Sequence, residues 1–198
     1  MKYLGVAVAI LALAGCGKES SVSEDATPPE ESPGVGLRQM VLTTPASKLG
    51  FTSDGDFPTV YGVLTEWDID GITATVMSMR DGTASLYTTS TFGIIGGHGH
   101  DSVRQVVVRY VKMAEQFAES SNPATEFAYP KSDQVFYYLL TYDGVRQIIG
   151  NKAAIERGSD PTRSLFAAAQ DVLTELRLIT EKEDAQQDAP AGAKRPRR

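Results

Sequence analysis

Residues 72–89 read ITATVMSM, RDG, TASLYTT, and these three pieces decide the fold. Ile72, Ala74 and Val76 alternate with Thr73 and Thr75, the two-residue period of a pleated strand. Arg80-Asp81-Gly82 breaks the run, and residues 83–89 resume it. Asp-Gly between two strand-like runs signals a hairpin, because glycine takes positive φ without steric cost. Just upstream, residues 59–68 (TVYGVLTEWD) are rich in β-branched and aromatic side chains and are expected to add a strand.

Further along, the period changes. Val103, Val106, Val107, Tyr110, Val111, Ala114, Phe117 and Ala118 fall on one helical stripe within residues 102–119, with Asp101 as the expected N-cap. The order then recurs. Residues 134–142 (QVFYYLLTY) are apolar on both faces, as in a central strand, and Asp143-Gly144 turns into residues 145–149. Asp160-Pro161 places a cap before a proline suited to a first helical turn. Leu165, Ala168, Ala169, Val172, Leu173, Leu176 and Ile179 give the second stripe. The expectation is an α+β domain over residues 50–181: an antiparallel sheet of about five strands with two amphipathic helices, arranged as two ββα units. This element order resembles that of small profilin-like and roadblock-like sensor domains. Residues 61–97 (YGVLTEWDIDGITATVMSMRDGTASLYTTSTFGIIGG) also resemble a bacterial protein family to which no activity attaches.

The termini differ in kind from this body. Lys2 precedes an apolar run from Leu4 to Ala14, the layout of a secretory signal and too short to span a bilayer. The run ends Leu13-Ala14-Gly15-Cys16, which resembles the lipobox of bacterial lipoproteins. The resemblance implies cleavage before Cys16, a diacylglyceryl group on its thiol and acylation of the new amino terminus. More than one acyl chain is what stable anchoring requires. Gly17 stands where an Asp would signal inner-membrane retention, so the resemblance implies an outer-membrane anchor facing the periplasm in a Gram-negative cell. The expected organisation is a signal peptide at 1–15, a lipidated Cys16 with a disordered tether at 16–49, and the domain at 50–181. A disordered tail at 182–198 ends in the basic tip Lys194-Arg195-Pro196-Arg197-Arg198.

Composition narrows the function. The 198 residues carry 41% apolar and 22% charged side chains, with 19 basic against 25 acidic groups. A net charge of −6 argues against a body that neutralises nucleic-acid phosphates. One Cys and two His exclude a disulfide framework, a zinc ribbon or a His-rich metal cage from one chain. No cofactor is indicated.

The most unusual stretch is residues 88–101, TTSTFGIIGGHGHD. Glycine amides near a helix start suit an anion, so Gly97, His98, Gly99, His100 and Asp101 are the candidate ligand-binding residues within loop 93–101. The other reading is a tight reversal that needs glycine for close packing. A dinucleotide fingerprint lacks its third glycine, since Ser102 stands there, and no phosphate-loop Gly-Lys-Ser/Thr occurs. His98, His100 and Asp101 lack further histidines to complete a metal site, and Ser90 and Ser102 lack the flanks of a nucleophile elbow. Glu66 and Asp68, at strand spacing around Trp67, are expected to solvate the end of a strand. The resulting expectation is a membrane-anchored envelope lipoprotein acting as a non-enzymatic interaction or sensing module, with an envelope protein as partner. The alternative is a small-ligand or anion binder, or an enzyme, using loop 93–101.

Overall fold

The computed structural model describes residues 33–90 and 93–187. The signal-peptide and lipidation expectations, the tether up to residue 32, and the basic tip fall outside them.

The hairpin read at residues 72–89 forms as β2 (Ile72–Met79) and β3 (Ala84–Thr88). The strand before it is β1 (Val60–Ile69), joined to β2 through Asp70-Gly71. Those two residues have φ of 53° and 84°, as a two-residue type I′ loop requires. The second long hairpin is β6 (Gln134–Thr141) and β7 (Gly144–Asn151). β1 and β6 pair antiparallel at the centre of the sheet, with Val63 opposite Leu139 and Trp67 opposite Val135. Two short strands complete it, β4 (Gly93–Ile95) beside β3 and β5 (Asn122–Pro123) beside β7. The sheet order is β4-β3-β2-β1-β6-β7-β5, with every pair antiparallel. The α+β class stands, with seven strands rather than about five.

Two helices cover one face, α2 (Asp101–Ala114) and α4 (Arg163–Gln187). They bury the expected stripes: Val103, Val107, Tyr110 and Val111 from one, Leu165, Ala169, Val172 and Leu176 from the other. These residues meet Val63, Val76, Tyr137 and Leu139 of the sheet in the larger core. α2 ends earlier than residue 119, passing into a 3₁₀ turn at Glu115–Phe117. There Glu115 turns inward, and its Oε1 accepts the amides of Thr59 and Val60 at 3.1 and 2.8 Å. The short helix α3 (Lys152–Arg157) precedes α4, and Asn151 caps it by accepting the Ala154 amide. Asp160 accepts the Thr162 amide and hydroxyl just before α4, and its other oxygen accepts the Asn151 amide.

The opposite face overturns part of the expected layout. Residues 33–49 are folded onto it, not tether. They form α1 (Pro33–Thr43) and a 3₁₀ turn (Ala46–Leu49). Val41, Leu42 and Ala46 pack with Tyr61, Leu64, Met79, Phe136, Tyr138 and Leu140 in a second core. The sheet is apolar on both sides and needs two covers. The expected tail also begins later, because α4 continues to Gln187. Four helices thus replace the expected two among the described residues.

Candidate functional site

Loop 93–101 is held by packing. Gly96 has φ of 96°, a left-handed conformation, and opens a 3₁₀ turn at Gly97–Gly99. A Cβ on Gly97 would lie 2.6 Å from Leu176 Cδ2 and 2.8 Å from Val103 Cγ1. Only glycine lets the chain pass that close to α2 and α4. Gly99 faces open space. His100, not Asp101, occupies the N-cap position of α2, and its side chain makes no capping bond. Asp101 is the first helical residue and is exposed. His100 Nε2 lies 3.3 Å from Glu183 Oε1, with His100 partly buried and Glu183 exposed. The His98 side chain lies outside the described set. Among the described residues no three His, Cys, Asp or Glu side chains gather as metal ligands.

The chemistry concentrates instead beneath α1. Glu66 is fully buried, contrary to the expectation of a solvated strand end, and Arg38 reaches down from α1 to meet it. The pair is bidentate: Nε to Oε1 at 2.6 Å and Nη2 to Oε2 at 2.8 Å. Thr75 donates its hydroxyl to Glu66 Oε1 at 2.9 Å. Arg38 also donates to the carbonyls of Phe127 and Ala128, at 3.0 and 3.1 Å, and lies over the ring of Tyr129. Tyr138 donates to the Ala128 carbonyl. One guanidinium therefore ties α1, the sheet and residues 127–129 together. A buried charge persists when its partner and hydrogen bonds surround it in this way.

Beside this cluster an open cleft of about 400 Å³ lies among the end of α1, the 3₁₀ turn, residues 124–127 and the β6–β7 turn. Leu42, Pro45, Ala46, Ala124 and Val145 supply its apolar lining; Phe127, Tyr61 and Tyr142 supply rings; Asp143 supplies a carboxylate. The Tyr61 and Tyr142 rings meet at 5.5 Å and 41°, and Phe51 stacks on Tyr61 at 5.2 Å. Burial, with the neighbouring Tyr142, pushes the Tyr61 phenol up to about 12, so it stays a neutral hydroxyl. Arg80 donates to the Tyr142 oxygen at 2.6 Å and to the Thr52 carbonyl at 2.8 Å, and pairs with Asp54. The Tyr142 hydroxyl is thereby held in place. The β6–β7 turn is fixed by the Thr141 hydroxyl on the Gly144 carbonyl, and residue 124 by its amide on the Val145 carbonyl.

The sequence does not display this cleft, because one wall comes from residues 33–49, whose composition reads as tether. Phe136, Tyr137 and Tyr138 are sheet core as expected, whereas Tyr142 is half-buried and lines the cleft. The available signal was the hydrophobic pair Val41-Leu42 ahead of Pro45, too short to register as a period. No protein-family model, curated protein or solved structure matches the chain.

Proposed function

We propose that the chain is a non-enzymatic binding module, held at a membrane by lipid on Cys16, and that its ligand site is the cleft at the carboxy-terminal end of α1. The observation that carries the reading is the lining itself. A volume of about 400 Å³ is in the range of small-molecule pockets, and the wall mixes apolar side chains and rings with hydroxyls and a carboxylate that can orient a ligand. The described lining offers threonine and tyrosine hydroxyls and one carboxylate, with no imidazole, thiol or amine to act as nucleophile or base with them. That inventory favours holding a molecule over transforming it. Loop 93–101 is the weaker site, because Gly97 serves packing and Glu183 places a carboxylate where an anion would approach.

The anchor part of the reading rests on the tetrapeptide ending at Cys16, and an outer-membrane, periplasm-facing position rests on Gly17. Sixteen residues separate Cys16 from Pro33, a chain that reaches at most ~55 Å when fully extended.

The test of the site is amide NMR during titration with a panel of small uncharged aromatic and aliphatic compounds. Shifts gathered at Thr44, Ala124 and Gly144, and lost in Ala124→Trp, are the expected result. Shifts that persist in Ala124→Trp, or that gather at Gly97 and His100, refute the assignment. For the anchor, Cys16→Ser should abolish lipid labelling and release the protein from the membrane fraction. Undiminished labelling would sink it.

A further inference from the structure

We infer that the cleft selects a compact organic cation, an ammonium group carried on a small molecule; this rests on the reading of the cleft as the ligand site. Three independent features of its wall favour positive charge. The aromatic surface comes first. Phe127 and Tyr142, both half-buried, line the cleft with their rings, and the buried Tyr61, stacked on Phe51, is tilted against Tyr142. Aromatic faces carry the negative part of a quadrupole and attract cations placed over them.

The second feature is the end of α1. The helix runs Pro33–Thr43 and stops on the cleft, where Leu42, Thr43 and Thr44 are lining residues. A helix carboxy terminus presents carbonyl oxygens and the negative end of the macrodipole. Cationic side chains commonly compensate this end, yet the last turn of α1 contains no basic residue.

The third feature is the formal charge. Asp143, exposed at the β6–β7 turn, is the only charged side chain among the described lining residues. The guanidinium of Arg80, which is not among the described lining residues, is paired with Asp54 and donates to the Tyr142 hydroxyl. Anionic ligands find no cation to meet them, and neutral ones leave the helix end and Asp143 unused. An ammonium group with methyl or methylene substituents satisfies all three while also covering the apolar lining.

The experiment titrates the full-length chain with choline and, separately, with dimethylbutanol, its uncharged carbon isostere, at matched low ionic strength. Calorimetry gives affinity, and the amides of Thr44 and Gly144 report the place. Choline is expected to bind about tenfold more tightly than the isostere. Asp143→Asn should weaken choline about threefold and leave the isostere unchanged, while Asp143→Lys should erase the preference. Asp143 is an exposed turn residue, so these variants should fold, and unchanged circular dichroism will confirm it. Equal binding of the two compounds overturns the cation assignment and leaves the cleft as a binding site. The same holds if only uncharged compounds shift Thr44 and Gly144. If neither choline nor any uncharged compound shifts those amides, the cation assignment and the site fall together.

Discussion

Cutting the bond between Arg38 and Glu66 should show how the N-terminal arm is held. Arg38 makes two bonds to Glu66 and two to main-chain carbonyls, all beneath α1. In Arg38→Met the apolar stem is kept and those four bonds go. Glu66, with no solvent exposure, is left with the Thr75 hydroxyl. Removing one member of a buried pair typically costs about 3–5 kcal/mol. The loss is a fifth or more of an ordinary domain's stability of roughly 5–15 kcal/mol. Glu66→Leu alone strands the guanidinium and should cost a similar amount. The double variant Arg38→Met/Glu66→Leu removes both charges together and should recover most of either loss, since apolar replacement of a whole buried pair is often nearly neutral. Urea unfolding followed by the fluorescence of Trp67, which is buried against Phe166, supplies the four stabilities of the cycle. Two results would refute the reasoning: single variants within about 1 kcal/mol of the parent, or a double variant whose loss is the sum of the two.

Three further outcomes follow from the described contacts. Gly97→Val should lose roughly 1–3 kcal/mol through overpacking against Leu176 and Val103, whereas Gly99→Ala should change thermal stability little; equal effects would contradict the packing account. Burial raises the Asp160 carboxyl, but the Asn151 and Thr162 donors outweigh this and hold it below its usual 3.8. Its contribution is present above pH 3.8 and lost as pH falls through the lower native value, so Asp160→Asn should flatten that part of the acid-unfolding curve. A fragment of residues 33–187 should unfold cooperatively in denaturant, while residues 50–181 should not, because removing α1 uncovers Tyr61, Leu64, Tyr138, Leu140 and Glu66; cooperative unfolding of the shorter piece would refute the role given to the arm.

Elements with an unbroken period were legible in the sequence, and those without one were not. β1 to β3 and the β6–β7 hairpin show alternation or a full apolar run with Asp-Gly turns, and α2 and α4 carry stripes of four or more large apolar residues. α1 breaks the rule. Its buried positions are Gly34, Arg38, Val41 and Leu42, helical in spacing but with a glycine and a charge in place of two hydrophobics. Gly34 is needed because α1 crosses β3 closely: a Cβ there would lie 2.9 Å from Tyr87 Cβ and from the Thr88 carbonyl. Arg38 is buried because its partner stands 28 residues away in sequence. Neither reason is local, so hydrophobic periodicity cannot display it. The burial of Glu66 is hidden for the complementary reason: a carboxylate in a strand reads as solvent-facing until the cation that neutralises it is placed. Loop 93–101 was legible as needing glycine, but which glycine is constrained depends on Leu176, far along the chain.

The brevity of the two outer strands bears on self-association. A sheet that ends in a long, flat strand offers a template on which a second molecule can add its own strand, and growth can continue from copy to copy. Here one border is three residues long and the other two, and the latter includes Pro123, which has no amide hydrogen to donate. The long strands β1, β2 and β6 have long neighbours on both sides, whereas β7 is covered on its outer side by β5 only at Arg146 and Gln147. Within the sheet, the template for adding a strand is therefore confined to the part of β7 that β5 leaves unpaired. Aggregation during expression or heating should start from chains that have opened, and conditions that slow opening should suppress it more than conditions that merely dilute the native protein.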